Sequence, residues 1–132
     1  MTMALNHLFG FLLTTQLLEL MKNSSSSRII NVTSGAHARS LDHDWLQEPE
    51  PYDGRKAYAQ SKLCNLLFTL ALAKRLDKHG ITVNALDPGG TATRFNRNNG
   101  QHYWLLHLVA HTLSRDLSTS RKAAETPVSL AS

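Results

Sequence analysis

The sequence predicts an α/β fold with a parallel sheet. Two short runs rich in β-branched residues, 28–33 and 81–86, are typical of buried strands. Between them, residues 56–79 keep apolar side chains at helical spacing. Two strands joined through a long helix form a parallel crossover, which is almost always right-handed. We therefore expect strands 28–33 and 81–86 to be adjacent or near-adjacent, with the helix crossing between them.

A first helix is predicted over residues 4–22, where leucines and other apolar residues recur at three- and four-residue steps. We expect this helix to be buried over a broad face. Asn23 and serines 24–27 end it and form a turn before strand 28–33. The short β-branched run of that strand predicts burial on both faces, as in a parallel sheet.

The remaining segments are loops and shorter helices. Residues 35–55 contain prolines, glycines and several charges, and predict a loop of the length that is usually functional. Gly80 ends the 56–79 helix, and residues 87–90 end the second strand sharply. Helices are predicted over 101–113 and 120–131. With no internal repeat visible, residues 1–132 form one domain.

Composition excludes several classes of function. The 132 residues carry a formal charge of +4, with scattered basic residues rather than the clustered stripe of a nucleic-acid surface. The single Cys64 lies among apolar residues, so a core role is favoured over a nucleophilic one, and a reducing compartment fits. Residues 1–21 are too polar for a membrane span and lack the features of a signal peptide.

A metal site is not predicted. His107 and His111 are four residues apart on a predicted helix, with His102 nearby, but a site needs further ligands at fixed geometry. A solvated helix face explains these histidines better.

Tyr58 and Lys62 form a candidate acid/base pair. Four residues apart on a helix, they share one face. The ammonium of Lys62 would favour the phenolate of Tyr58, so the pair could move a proton to or from an alcohol or carbonyl near neutral pH. The hydroxyl of Ser34 could hold the same oxygen. Spacing alone is weak support, since most such pairs are ordinary helix surface contacts.

The predicted topology strengthens this reading. In open α/β sheets, ligands bind outside the carboxyl ends of the strands. Ser34 follows the first strand, Pro88 and Gly89 follow the second, and Tyr58 lies near the start of the crossing helix. Three separate polar features therefore converge on one edge of one sheet, as expected for a catalytic site.

At this point the motifs resemble a known family. Ser34, Tyr58-Ala59-Gln60-Ser61-Lys62 and Asp87-Pro88-Gly89-Gly90-Thr91-Ala92-Thr93 are similar to the carboxyl-terminal half of a short-chain dehydrogenase/reductase. Asn6-His7-Leu8 and the residues around the strand and the Tyr58 motif look most like the retinol dehydrogenase branch. The resemblance covers about residues 4–93 and is weak over 94–132. It implies a partial, truncated Rossmann-type doubly wound parallel sheet.

The resemblance also implies roles for single residues. Tyr58 would donate or accept the proton, and Lys62 would hold the nicotinamide ribose and assist Tyr58. Ser34, rather than its neighbour Thr33, would orient the substrate oxygen. Asn6 matches the asparagine that supports a proton-relay water. The residues implied along the nicotinamide are Pro88, Gly89 and Thr93. The cofactor would be NADP or NAD.

One feature of the family is missing from the sequence. The glycine-rich turn that cradles the cofactor pyrophosphate has no counterpart, since the only glycine before Gly35 is Gly10, inside the first predicted helix. We therefore expect a truncated product, a fragment or an incomplete gene model, whose 132 residues alone bind cofactor poorly.

Two functions follow as hypotheses. The first is hydride transfer between NAD(P)(H) and an apolar alcohol or carbonyl such as a retinoid, in the cytoplasm or on the cytoplasmic side of an intracellular membrane. The alternative is a non-catalytic fragment that associates with a full-length family member through helices 4–22 and 56–79. In the resembled family these helices build a dimer interface, so a homo- or heterodimer is implied.

Overall fold

The computed structural model describes residues 1–24, 26–90 and 119–132. The chain divides into two compact units, Met1–Asp87 with Ala131, and Pro88–Leu130 with Ser132. The first unit contains a π-helical segment, three α-helices, a short 3₁₀ segment and two strands. In chain order these are the π-helical Ala4–Leu8, α1 (Phe9–Lys22), β1 (Ser27–Val32), α2 (His43–Gln47), α3 (Gly54–Leu76), the 3₁₀ segment Asp77–His79 and β2 (Ile81–Leu86).

The two strands form a parallel pair, in register from Ser27 opposite Ile81 to Val32 opposite Leu86. α3 connects them. The predicted adjacent parallel strands with a crossing helix are therefore confirmed, and the fold class is α/β. Both strands begin and end within one residue of their predicted bounds, because the residues that flank each β-branched run do not favour a strand.

The core lies where α3 covers this sheet. Its buried centre is formed by Ile29, Leu72, Leu76 and Ile81, and the partly buried side chains packed against it are Leu18, Met21, Phe68 and Val83. Burying apolar side chains of this size contributes about 1.5–3 kcal/mol each. This packing fixes the position of α3, and with it the Tyr58 motif, relative to the strands.

Polar interactions set the ends of α3. The Asp53 carboxylate accepts hydrogen bonds from the backbone N–H groups of Arg55 (2.8 Å) and Lys56 (3.3 Å), so the helix begins at Gly54, two residues before the predicted start. At the other end Gly80 adopts a left-handed φ of 67°, as predicted for the stop. The last three residues before it are 3₁₀ rather than α-helical.

The predicted loop 35–55 is interrupted by a short helix. Asp42 caps α2 by accepting a hydrogen bond from the N–H of Trp45 at 3.1 Å. The segment is also tied to α3, because the Ala38 N–H donates to the carbonyl of Ala59 at 3.0 Å. The expectation of an unbroken loop was wrong, since a local cap stabilises one helical turn within it.

Two expectations about burial were also wrong. In β1, Ile29 is buried and Asn31 hydrogen-bonds to Thr69 of α3, whereas Arg28 and Val32 are exposed. α3 therefore covers one face of the strand, and the sequence pattern had predicted cover on both.

The first helix has no buried residue. It contacts the rest of the unit along one edge, for example where Phe11 packs on Phe68 with ring centroids 5.1 Å apart. Leu18 and Met21 are partly buried against the core, whereas most other apolar side chains of this helix are solvent-exposed. Leu20, the most exposed of the helix's leucines, retains 68% of its accessible surface. Within the described ranges, no helix is long and apolar enough to cross a membrane.

In the second unit the described helix is α4 (Ser120–Ala131), which has the predicted boundaries. Thr119 caps it by accepting a hydrogen bond from the Lys122 N–H at 3.3 Å. The helix predicted over 101–113 lies outside the described residues.

Candidate active site

Thr33 joins the carboxyl ends of β1 and β2 by hydrogen bonds. Its backbone N–H and its hydroxyl both donate to the carbonyl oxygen of Leu86, at 2.8 and 3.0 Å. Thr33 is buried, and its hydroxyl proton is used in the hydrogen bond to Leu86. Of the two neighbouring hydroxyl residues, Ser34 is therefore the one available to a ligand at the sheet edge.

Ser34 begins a tight turn beyond β1. Its carbonyl accepts from the His37 N–H at 3.0 Å, and its side-chain oxygen accepts from the Ala36 N–H at 3.2 Å. These contacts orient the hydroxyl oxygen and leave its proton available for donation. A side chain at Gly35 would bring a Cβ to 2.8 Å from a carboxylate oxygen of Asp87, so a larger residue there would have to displace that carboxylate.

Lys62 is held between the strand end and Tyr58. Its Nζ donates to the carbonyl of Val32, the last residue of β1, at 3.1 Å. The same Nζ lies 5.5 Å from the centroid of the Tyr58 ring, within range of a cation–π contact. The structure thus brings the predicted pair together and anchors it two residues before Ser34.

Two opposing effects act on the pKa of Lys62. Partial burial lowers the pKa of the Lys62 ammonium, and the carboxylate of Asp87 opposes that shift. The protonated form of Lys62 is the one that can support a neighbouring anion electrostatically.

Asn6 is joined to the same helix turn through Ser61. The Asn6 amide donates to the Ser61 hydroxyl oxygen at 3.1 Å, and this hydroxyl donates to the Tyr58 carbonyl at 2.7 Å. The Ser61 side chain is fully buried. Asn6 lies within the π-helical segment, a wider turn that frequently occurs at functional sites. Asn6, Tyr58 and Lys62 are therefore connected within one unit.

The segment that follows Ser34 and contains α2 is held against α3 by polar contacts beside the Tyr58 motif. The buried Gln60 amide donates to the Ser40 carbonyl at 3.0 Å and accepts from the Asp42 N–H at 3.2 Å. The Lys56 ammonium pairs with the Asp42 carboxylate at 2.7 Å and lies 4.8 Å from the Trp45 ring centroid. The hydrogen bond from Lys56 lowers the pKa of Asp42, assisted by the Trp45 N–H.

With this geometry established, comparison with known proteins identifies the family. The sequence model of the short chain dehydrogenase family matches residues 1–104. The chain belongs to this family. It is 47% identical to human retinol dehydrogenase 13 over 104 residues, covering 77% of this chain and 31% of that protein. The branch that the motifs suggested, retinol dehydrogenase-like, is confirmed.

Other short-chain dehydrogenases are similar over more of the chain. Human retinol dehydrogenase 12 is 41% identical over 126 residues, covering 94% of this chain and 38% of that protein. The chloroplastic short-chain dehydrogenase TIC 32 A of Brassica napus is 40% identical over 125 residues, covering 86% of this chain and 39% of that protein. The chain thus spans between 31% and 39% of the length of these relatives.

The predicted cofactor contacts of this short-chain dehydrogenase are described only in part. Pro88 and Gly89 belong to the second compact unit, where Gly89 adopts a left-handed φ of 70°. Thr93 lies outside the described residues. The roles of these three residues along a nicotinamide stay predictions.

Neither cysteine nor metal chemistry is supported by the described part of the chain. Partial burial raises the pKa of the Cys64 thiol, which reduces its thiolate fraction and hence its reactivity. Among the described residues there is no group of three or more histidine, cysteine or acidic side chains that could hold a metal ion. The His102, His107 and His111 set lies outside that part of the chain.

The sequence analysis missed three residues of the motif's surroundings, Gln60, Ser61 and Asn65. Each is a polar side chain on α3 that contacts a segment far away in the sequence. For Ser61 and Asn65 the available signal was their spacing, because they lie three and seven residues after Tyr58 and so share its side of a helix.

Proposed function

We propose that this chain carries the proton-transfer site of an oxidoreductase that moves a hydride between NAD(P)(H) and an alcohol or carbonyl. Membership of the short-chain dehydrogenase family supports the reaction class. The site residues are Asn6, Ser34, Tyr58 and Lys62. The observation that carries the proposal is the position of the Lys62 ammonium, between the Val32 carbonyl at the strand end and the Tyr58 ring.

Three of the four residues act directly on the reacting groups in this proposal, and Asn6, by resemblance to the family, supports a proton-relay water. Ser34 donates its hydroxyl proton to the substrate oxygen and fixes it beside Tyr58. For an alcohol substrate, the phenolate oxygen of Tyr58 takes the hydroxyl proton as the carbinol carbon loses a hydride, which leaves a carbonyl. For a carbonyl substrate, the same proton returns from the phenol. The ammonium of Lys62 stabilises the phenolate form that both directions need.

The nicotinamide cofactor supplies or accepts the hydride. Lys62 fits one end of such a cofactor. Its ammonium has three N–H donors, and those not used in the hydrogen bond to Val32 can hold a ribose hydroxyl. The choice between NAD and NADP rests on residues outside the motifs present here. The printed names of two relatives, retinol dehydrogenases 13 and 12, support an apolar alcohol such as a retinoid as substrate.

The test is turnover by this chain joined behind the glycine-rich, cofactor-binding half of a retinol dehydrogenase relative, called below the completed chain. We expect nicotinamide reduction that depends on added retinol, followed by the absorbance of the reduced cofactor with NAD and with NADP. A folded completed chain that binds cofactor but oxidises neither retinol nor a simple primary alcohol would contradict the proposal.

A second candidate function is association with a full-length family member. The observation favouring it is the exposed apolar side of the first helix. Its exposed members are Leu5, Leu8, Phe9, Phe11, Leu12, Leu13, Leu17 and Leu20. On α3, Leu67 and Leu70 are exposed as well. Apolar patches of this kind mark association surfaces or aggregation liabilities.

We expect the isolated 132 residues to self-associate and to bind NAD(H) and NADP(H) weakly. Leu12→Glu should shift the protein towards smaller species in sizing chromatography, because it places a charge in the apolar patch. Val128→Ser is the matched control, since Val128 is 62% exposed but lies on α4, and it should leave the elution volume unchanged. Micromolar cofactor affinity in a well-behaved monomer, measured by isothermal titration, would refute both expectations.

A further inference from the structure

The starting observation is a second contact to Asn6, made by Asn65. The Asn65 amide donates to the backbone carbonyl oxygen of Asn6 at 2.9 Å, while Ser61 accepts from the Asn6 side chain at 3.1 Å. Ser61 and Asn65 are four residues apart, so they stack on successive turns of one face of α3. Asn6 is thus held at its backbone and its side chain by the helix that carries Tyr58 and Lys62.

The orientation of the Asn65 amide is determined by its neighbours. Because its Nδ2 donates to Asn6, its Oδ1 is the acceptor facing the Nδ1 of His7 at 2.9 Å, which requires a proton on that nitrogen. The His7 ring lies 6.2 Å, centroid to centroid, from both Phe11 and Phe68. An amide with both ends engaged beside packed aromatic rings has little freedom to rotate.

The contacted carbonyl lies in an irregular part of its helix. The segment Ala4–Leu8 is π-helical, and the Phe9 N–H bonds to the Ala4 carbonyl, five residues back instead of four. Carbonyl groups in such a segment are displaced from the regular ladder. A carbonyl oxygen has two lone pairs, so Asn6 can accept from Asn65 and still accept from a water molecule.

We infer that Asn65 is a positioning residue for proton transfer, which holds the Asn6 carbonyl at a fixed place relative to Tyr58 and Lys62. The inference rests on the proposed function and on the role that the family resemblance implies for Asn6, the support of a proton-relay water. Asn65 touches neither substrate nor cofactor in this scheme. It acts through Asn6, as Ser61 does through the Asn6 side chain.

The test compares Asn65→Leu with Thr69→Val. Leucine is close to asparagine in size and lacks both amide contacts. Thr69 is the matched control, because it is buried one turn further along α3 and hydrogen-bonds to Asn31 and to the Asn65 carbonyl, away from Asn6. Both variants remove a part-buried polar contact, so both lower stability, but only Asn65→Leu frees the Asn6 carbonyl.

Two readouts separate positioning from stability. In the completed chain, Asn65→Leu should shift the backbone carbonyl NMR resonance of Asn6, and Thr69→Val should not. In the completed chain, Asn65→Leu should lower kcat of the folded enzyme roughly 10–100-fold, with little change in cofactor KM, and alter the pH dependence of kcat. Thr69→Val should keep the wild-type pH profile.

The outcomes distinguish this inference from the proposed function. If the wild-type completed chain turns over and Asn65→Leu changes only stability, as Thr69→Val does, the positioning role is wrong and the proposed function stands. If the folded wild-type completed chain shows no alcohol-dependent turnover, the proposed function fails and the inference falls with it. An unmoved Asn6 resonance in Asn65→Leu would also overturn the inference.

Discussion

Tyr58→Phe is expected to lower kcat of the completed chain by about 10²–10⁴-fold, the usual contribution of a positioned acid/base group. Phenylalanine keeps the ring over which Lys62 lies at 5.5 Å, so the cation–π contact and the helix packing are retained. The hydroxyl is lost, and with it the transferable proton. Steady-state kinetics with retinol as substrate, together with cofactor titration, measures the effect.

Tyr52→Phe provides the control within the same chain. Tyr52 is 58% exposed, and its hydroxyl hydrogen-bonds to the Thr2 hydroxyl at 3.0 Å, away from the Tyr58 motif. It should have near-wild-type kcat. Near-wild-type turnover in Tyr58→Phe would remove Tyr58 from the mechanism, whatever the control shows.

Lys62→Met should cause the second large loss. Turnover is expected to fall roughly 10²-fold or more, because the cation beside Tyr58 is removed. Cofactor affinity should fall roughly 10–100-fold, the equivalent of one hydrogen bond to a charged group. Lys78→Met, which changes an exposed lysine of the 3₁₀ segment, should alter neither quantity. Wild-type kcat and cofactor affinity in Lys62→Met would contradict this role.

The same substitution should leave the isolated fold as stable or make it more stable. Partial burial lowers the pKa of Lys62, so the unfolded chain binds the proton more tightly than the folded one. The charged form therefore destabilises the fold at neutral pH, and this penalty is relieved as pH rises towards the ordinary lysine pKa of about 10.4. Urea unfolding should show the gap between Lys62→Met and wild type narrowing over that alkaline range.

A marked loss of stability in Lys62→Met at neutral pH would contradict this account. It would mean that the hydrogen bond to Val32 outweighs desolvation. We expect the smaller effect from that bond, because Val32 is 45% exposed and water can replace the lost donor.

Short sequence patterns predicted most of the secondary structure, because the backbone preferences of neighbouring residues largely determine where a strand or helix begins and ends. The β2 boundaries, Ile81–Leu86, match the β-branched run between Gly80 and Asp87, and Gly80 adopts the left-handed conformation that a helix stop needs. The start of α3 moved by two residues because Asp53, a side chain outside the apolar pattern, caps it. The spacing of apolar residues does not reveal such a cap, so it could not predict the exact start of the helix.

The sequence by itself determined the order of the first helix, the two strands and the long helix between them, and the parallel crossover, since each depends on residue types within a few positions. It also predicted Ser34, Tyr58 and Lys62 as the candidate site from short motifs. The tertiary structure alone decided how Asn6 is held, because its contacts to Ser61 and Asn65 span 55 and 59 residues. It also decided that the first helix is exposed rather than buried, since burial depends on which other segments pack against a face and not on the face itself.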